Sequence, residues 1–75
     1  MVINFISTDS SIQEGINCLE TDTFAKVEER LYQKYDEFRN TNNSFTFKGR
    51  IILRFKTLKE NNIKNGDKIL LLKIE

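Results

Sequence analysis

Hydrophobic and polar positions alternate along the first residues, then repeat with a helical period, then alternate again. Val2-Ile3-Asn4-Phe5-Ile6-Ser7 is rich in β-branched and aromatic residues, the composition of a strand. Ser7-Thr8-Asp9-Ser10-Ser11 is a turn cluster. A second strand follows from Ile12 to Leu19, with Ile12, Ile16 and Cys18 at even positions. Two strands joined by a short polar turn are expected to pair antiparallel. Thr23 offers a helix N-cap. Phe24, Val27, Leu31, Tyr35 and Phe38 then recur at spacings of three, four, four and three. That spacing puts one apolar stripe on a helix of about four turns, with Glu28 and the other charged residues on the remaining faces.

Arg39 to Ser44 has no period and reads as a loop. Phe45-Thr46-Phe47-Lys48 alternates with both Phe on one face. Gly49 suits a turn that needs positive φ, and Arg50-Ile51-Ile52 starts a short returning strand. Leu58 and Ile63 anchor an irregular, partly helical segment. Asn65-Gly66-Asp67 turns the chain into a last strand, Lys68 to Ile74, expected to pair beside the first. The order strand, strand, helix, strand, short strand, strand predicts an α+β fold, a mixed sheet of about five strands packed on one helix. Ile3, Phe5, Ile16, Cys18, Phe45, Phe47, Ile69 and Leu71 are expected to face the helix stripe.

Seventy-five residues provide for one core, so a single domain over 1–75 is expected. With no Pro and three Gly, the turns fall to Asn, Ser, Thr and Asp. No apolar run approaches the ~18 residues of a membrane span, and no membrane partner is expected. The N-terminus lacks a secretory pattern, and the lone Cys18 cannot form an internal disulfide. An intracellular location, cytoplasmic or nuclear, is therefore expected. The net charge of +1 conceals a division. Residues 1–38 carry three basic and eight acidic residues, net −5, and residues 39–75 carry nine basic and three acidic, net +6. Such a dipole steers an oriented encounter without making a general polyanion binder.

The residue inventory argues against catalysis. Without His there is no imidazole base, no His metal ligand and no Ser-His-Asp triad. Cys18 falls in the inward row of a strand and reads as core. Glu28-Glu29 and Asp36-Glu37 are adjacent on a helix, so each pair diverges and reads as solvated. Lys48-Gly49-Arg50 lacks the upstream Gly and the Ser/Thr of a phosphate loop, and one cysteine cannot hold an iron–sulfur cluster. No enzyme activity, metal or cofactor is expected. Lys48, Arg50, Arg54, Lys56 and Lys68 interleave with Phe47 and Phe55, a feature of nucleic-acid binders. Phe47 is expected in the core, however, and the overall charge is far below theirs, so nucleic acid is disfavoured. Ile69 to Leu72 is apolar on both faces where a half-wet sheet should alternate. Contiguous exposed apolar side chains mark an interface, which makes Leu70 and Leu72 candidates for protein binding.

Three segments in order resemble the ubiquitin-like family, over nearly the whole chain. Thr21-Asp22-Thr23-Phe24-Ala25-Lys26-Val27 is similar to the family's entry into its helix. Phe45-Thr46-Phe47-Lys48-Gly49-Arg50-Ile51-Ile52 is similar to its third strand, glycine turn and fourth strand. Leu58, Ile63, Gly66, Ile69 and Leu71 match its closing pattern. The resemblance implies a β-grasp fold with the last strand between the first and the third. It also implies a partner-binding face built from Ile6, Thr46, Leu70 and Leu72, with Lys48, Arg50 and Lys68 around them. Thr46 stands where the family's patch has its central isoleucine, so standard ubiquitin receptors are expected to bind poorly. Conjugated members end in Gly-Gly, whereas this sequence ends Lys73-Ile74-Glu75, which implies a non-conjugated module. The expected role is non-covalent binding of a ubiquitin-receptor-like or proteasome-linked protein, or of a flanking domain of the same chain. Alternatives are a structural subunit of a larger complex, or a modifier whose Gly-Gly tail lies outside this sequence.

Overall fold

The alternating N-terminal stretch forms β1 (Val2–Ser7), paired antiparallel with β2 (Gln13–Asn17). The computed structural model describes residues 1–74; Glu75, part of the terminal tail considered above, lies outside them. Period-two burial is plain in β1, where Ile3, Phe5 and Ser7 are buried, Val2 is exposed and Asn4 and Ile6 are half-buried. The turn between the strands is held by one carboxylate. Asp9 accepts the Ser11 N–H at 3.0 Å and the hydroxyls of Ser7 and Ser11 at 2.7 Å each. These donors hold its carboxyl down at about 2.

Helix α1 (Phe24–Lys34) starts at Thr23, whose extended backbone makes it the N-cap, but the Thr23 side chain caps nothing. A distant part of the chain supplies the missing acceptors. The Phe24 and Ala25 N–H groups donate to the carbonyls of Lys56 and Arg54 at 3.0 and 2.9 Å. The helix is shorter than its apolar spacing predicts. Tyr35 leaves the helical region at φ −128°, and a 3₁₀ turn over Asp36–Phe38 follows. Continuing the α-helix would set Asp36 and Glu37 at the negative end of its dipole. The break instead sets Asp36 and Glu37 in the first turn of the 3₁₀ segment, where acidic residues are favoured, and still delivers Phe38 to the core.

Strand β3 (Asn42–Phe47) takes Asn42, Asn43 and Ser44 from the expected loop, and β4 (Arg50–Ile51) returns beside it. The last strand, β5 (Lys68–Ile74), is parallel to β1 and antiparallel to β3. The sheet order is β2-β1-β5-β3-β4, a five-stranded mixed sheet with one helix. Low intrinsic strand preference at Asn42, Asn43 and Ser44 is overridden by pairing with Ile74, Lys73 and Leu72.

The core lies between α1 and one face of this sheet. The rings of Phe5, Phe24 and Phe45 meet there with centroids 5.1 to 5.9 Å apart, tilted or edge-to-face. Ile3, Val27, Leu31, Leu58, Ile69 and Leu71 are fully buried around them. Cys18 is buried as expected, and burial pushes its thiol up from 9.0. Glu28 is not solvated, contrary to the helical pattern: it is buried beside Tyr32. Its carboxylate pairs with the Arg54 Nε at 3.0 Å and accepts the Tyr32 hydroxyl. Asn43 Nδ2 donates to the same Tyr32 oxygen at 3.0 Å, and Arg54 Nη2 donates to the Asn43 carbonyl at 3.0 Å. A buried charge held by Arg54 and Tyr32 is tolerated because both of its oxygens are occupied.

Two consequences are measurable. Phe5→Ala should lose about 3–5 kcal/mol in urea denaturation, because Phe5 is fully buried against two other rings. An unchanged midpoint would place Phe5 outside the core. Tyr32 is pushed up to about 12, first by burial and then by the Glu28 carboxylate. Its folded value lies above the unfolded 10.0, so its contribution is intact below pH 10 and fades toward pH 12. The thermal midpoint of the native protein should therefore fall more steeply from pH 10 to 12 than that of Tyr32→Phe. Equal slopes would remove Tyr32 from the alkaline transition.

Candidate functional site

The face of the sheet turned away from α1 is open. Strand pairing lays a row of side chains across all five strands on this face. Gln13 is opposite Ile6, Ile6 opposite Leu70, Leu70 opposite Thr46, and Thr46 opposite Ile51. Leu70 and Leu72 retain 44% and 45% of their accessible surface, while Ile6 and Thr46 are half-buried between their neighbours. Leu72 lies beside Ser44, and Lys68 is opposite Asn4 at the other end of the same face. The structure thus gathers Ile6, Thr46, Leu70, Leu72 and Lys68 on one surface.

Gly15 allows its neighbours on this face to approach closely. It is opposite Asn4, and a Cβ there would come within 3.2 Å of Val2 Cγ1. A depression of about 470 Å³ lies beside the row, lined by Asn4, Ile6, Gln13, Gly15 and Lys68. An apolar row beside a shallow polar depression can accept a partner's apolar side chain and hydrogen-bond its backbone.

Two expected members are placed elsewhere. Lys48 and Gly49 form a two-residue turn with φ of 51° and 78°, so Lys48 leaves the strand alternation. Its ammonium lies 5.3 Å from the centroid of Phe47, a ring that belongs to the core face. Arg50 is opposite Phe47, which assigns it to the core side at the sheet edge. The position on the open face passes to Ile51, 74% exposed, which sequence reasoning overlooked. Counting Lys48-Gly49 as a two-residue loop would have found it, because that loop pairs Phe47 with Arg50 and hence Thr46 with Ile51.

A second feature lies beyond the same edge. After β4 the chain turns at Leu53–Lys56, closed by a Lys56 N–H to Leu53 carbonyl bond of 3.2 Å. Asn61 seals the backbone here. Its Oδ1 accepts the Leu53 N–H and its Nδ2 donates to the Leu53 carbonyl, both at 3.0 Å. A hollow of about 270 Å³ remains between this segment and β4.

Among the described residues, no cluster of His, Cys, Asp and Glu is placed to hold a metal ion, and no helix is long and apolar enough to cross a membrane. No protein-family model matches the chain, and no curated protein matches it.

Leu70→Ser and Leu72→Ser should each cost about 1 kcal/mol or less in urea denaturation, because half their surface is already in water. Leu71→Ala, fully buried between them, should cost about 2–5 kcal/mol. Comparable costs at all three positions would mean that the open face is packed against something in the folded chain.

Proposed function

We propose that the chain is a ubiquitin-like β-grasp module that binds a protein partner non-covalently through the open face of its sheet. The observation that carries this reading is the apolar row Ile6–Leu70–Thr46–Ile51, continued by Leu72. Solvent-exposed strands should alternate apolar with polar, and here the outward positions of the central strand are leucine twice over. Leaving both leucines half in water forgoes part of the ~1.5–3 kcal/mol each would gain on full burial. A partner that covers them recovers it. The sheet order, with the last strand between the first and third, supports the family reading.

Thr46 at the centre narrows the partner. Its hydroxyl interrupts the apolar row, so a receptor shaped for a continuous aliphatic patch loses contact there. Ile51 supplies apolar area one strand further toward the edge. The partner's footprint is therefore shifted toward β4, and a ubiquitin-receptor-like or proteasome-linked protein would need a matching offset. Catalysis is not part of this role.

Affinity capture with the native protein beside a Leu70→Ser/Leu72→Ser double variant tests the proposal. Proteins retained by the native chain and lost by the variant are the expected outcome, with both proteins folded by circular dichroism. Identical retention by the two would remove the sheet face as the binding surface.

A further inference from the structure

The ion pairs of the structure consume charge unevenly. Their carboxylates are Glu14, Asp22, Glu28, Glu29 and Asp36, all from the acidic half of the chain. Their cations are Arg30, Lys34, Arg39 and Arg54. Among the described residues, Arg50, Lys56 and Lys59 enter no ion pair. The acidic half is thus largely neutralised internally, while positive charge on β4 and the segment after it faces solvent.

Apolar side chains are exposed in the same stretch. Leu53 is 59% and Phe55 87% exposed, next to Ile51. Phe55 is held out by the fold. It sits in the Leu53–Lys56 turn, and the carbonyls on either side of it, those of Arg54 and Lys56, cap the first N–H groups of α1. Moving Phe55 inward would break those caps and leave helix donors without partners. Beside the turn, the hollow of about 270 Å³ has Ile51, Ile52 and Leu53 in its wall and Arg50 at its margin. Glu60 also lines it, but its carboxylate is turned to the Thr57 N–H at 3.0 Å, and that bond, with the one it makes to the Thr57 side chain, lowers its pKa.

We propose that this corner, with Ile51, Leu53 and Phe55 beside the hollow and Arg50 and Lys56 around them, is a second docking surface for an acidic, amphipathic segment of a protein. Complementary charge selects the partner's carboxylates and steers the encounter. The hollow takes an apolar side chain from between them, and Phe55 packs on the segment's exposed flank. A flat bilayer would leave the hollow empty. A single-stranded nucleic acid would want several aromatic platforms, and this corner offers one aromatic and two aliphatic side chains.

Amide chemical shifts of the ¹⁵N-labelled protein, titrated with the peptide Glu-Asp-Glu-Leu-Phe-Glu-Asp-Glu, test the proposal. The expected result is movement concentrated at residues 50–56, weakening as salt rises from about 0.05 to about 0.3 M. Phe55→Ser and Lys56→Glu, both at exposed positions, should each weaken binding about tenfold, whereas Leu70→Ser should leave it unchanged. Absence of shifts at residues 50–56 would overturn the proposal. So would equal shifts with the Gln/Asn counterpart of the peptide, shifts confined to Ile6, Leu70 and Leu72, or tighter binding to phosphatidylserine vesicles or oligothymidine than to the peptide.

Discussion

Three phenylalanine rings hold the structure to one arrangement. Phe5 comes from β1, Phe24 from the first turn of α1 and Phe45 from β3, and each touches the other two. β5 runs between β1 and β3, so the rings clamp both of its neighbours to the helix. The cluster also decides which side chains meet water. A strand alternates strictly, so Phe5 turned inward forces Ile6 outward, and Phe45 turned inward forces Thr46 outward. A slip of one residue in either strand would expose a phenylalanine and bury the candidate binding row. The open face is therefore the other side of the core's own register, specified by the same residues that stabilise the fold.

Charge is organised around a second junction. Glu28, Tyr32, Asn43 and Arg54 join the helix, the start of β3 and the segment after β4 in one hydrogen-bonded network. The Arg54 guanidinium also lies 5.8 Å from the centroid of Phe45, which ties the network to the ring cluster. Its side chain reaches Glu28 while its carbonyl caps α1. One residue of an irregular segment thereby serves the helix twice. The geometry explains why the segment can be irregular and yet well anchored, with Leu58 and Ile63 buried beneath it.

Much of this is legible in the sequence, for identifiable reasons. Strands β1 and β5 are dense in β-branched and aliphatic residues, and turn residues mark the end of β1 at residues 8–11 and the start of β5 at Asn65-Gly66-Asp67. The inward row of Phe45 and Phe47 follows from alternation alone. The shortened helix is harder to see, since Tyr35 and Phe38 keep an apolar spacing through the 3₁₀ turn and periodicity cannot register the change of helix type. Glu28 looks solvated because its burial depends on Arg54, remote in sequence and recruited only by tertiary contact. Alternation carried on from Thr46 places Lys48 on the open face, and the resemblance sets Arg50 nearby, but Lys48-Gly49 is a turn. The positive φ at both positions ends that alternation and hands the face to Ile51. Asn42–Ser44 hides its strand because asparagine favours turns, and only β5 supplies the pairing that outweighs this.

The Asn61 amide has a bearing on how copies of the chain meet. Beyond β4 the backbone of Leu53 would offer a donor and an acceptor to any incoming strand, but one side-chain amide occupies both. β4 itself is only two residues long. At the opposite rim of the sheet, the Arg30 guanidinium takes the Asn17 carbonyl of β2, and Glu14 is engaged by Lys34. Growth of the sheet by adding strands, the usual first step toward fibrils in small β-rich chains, is thus hindered at the β4 rim, while the β2 rim has one carbonyl taken. A copy arriving edge to edge at β4 therefore meets a short strand whose following backbone is already spoken for.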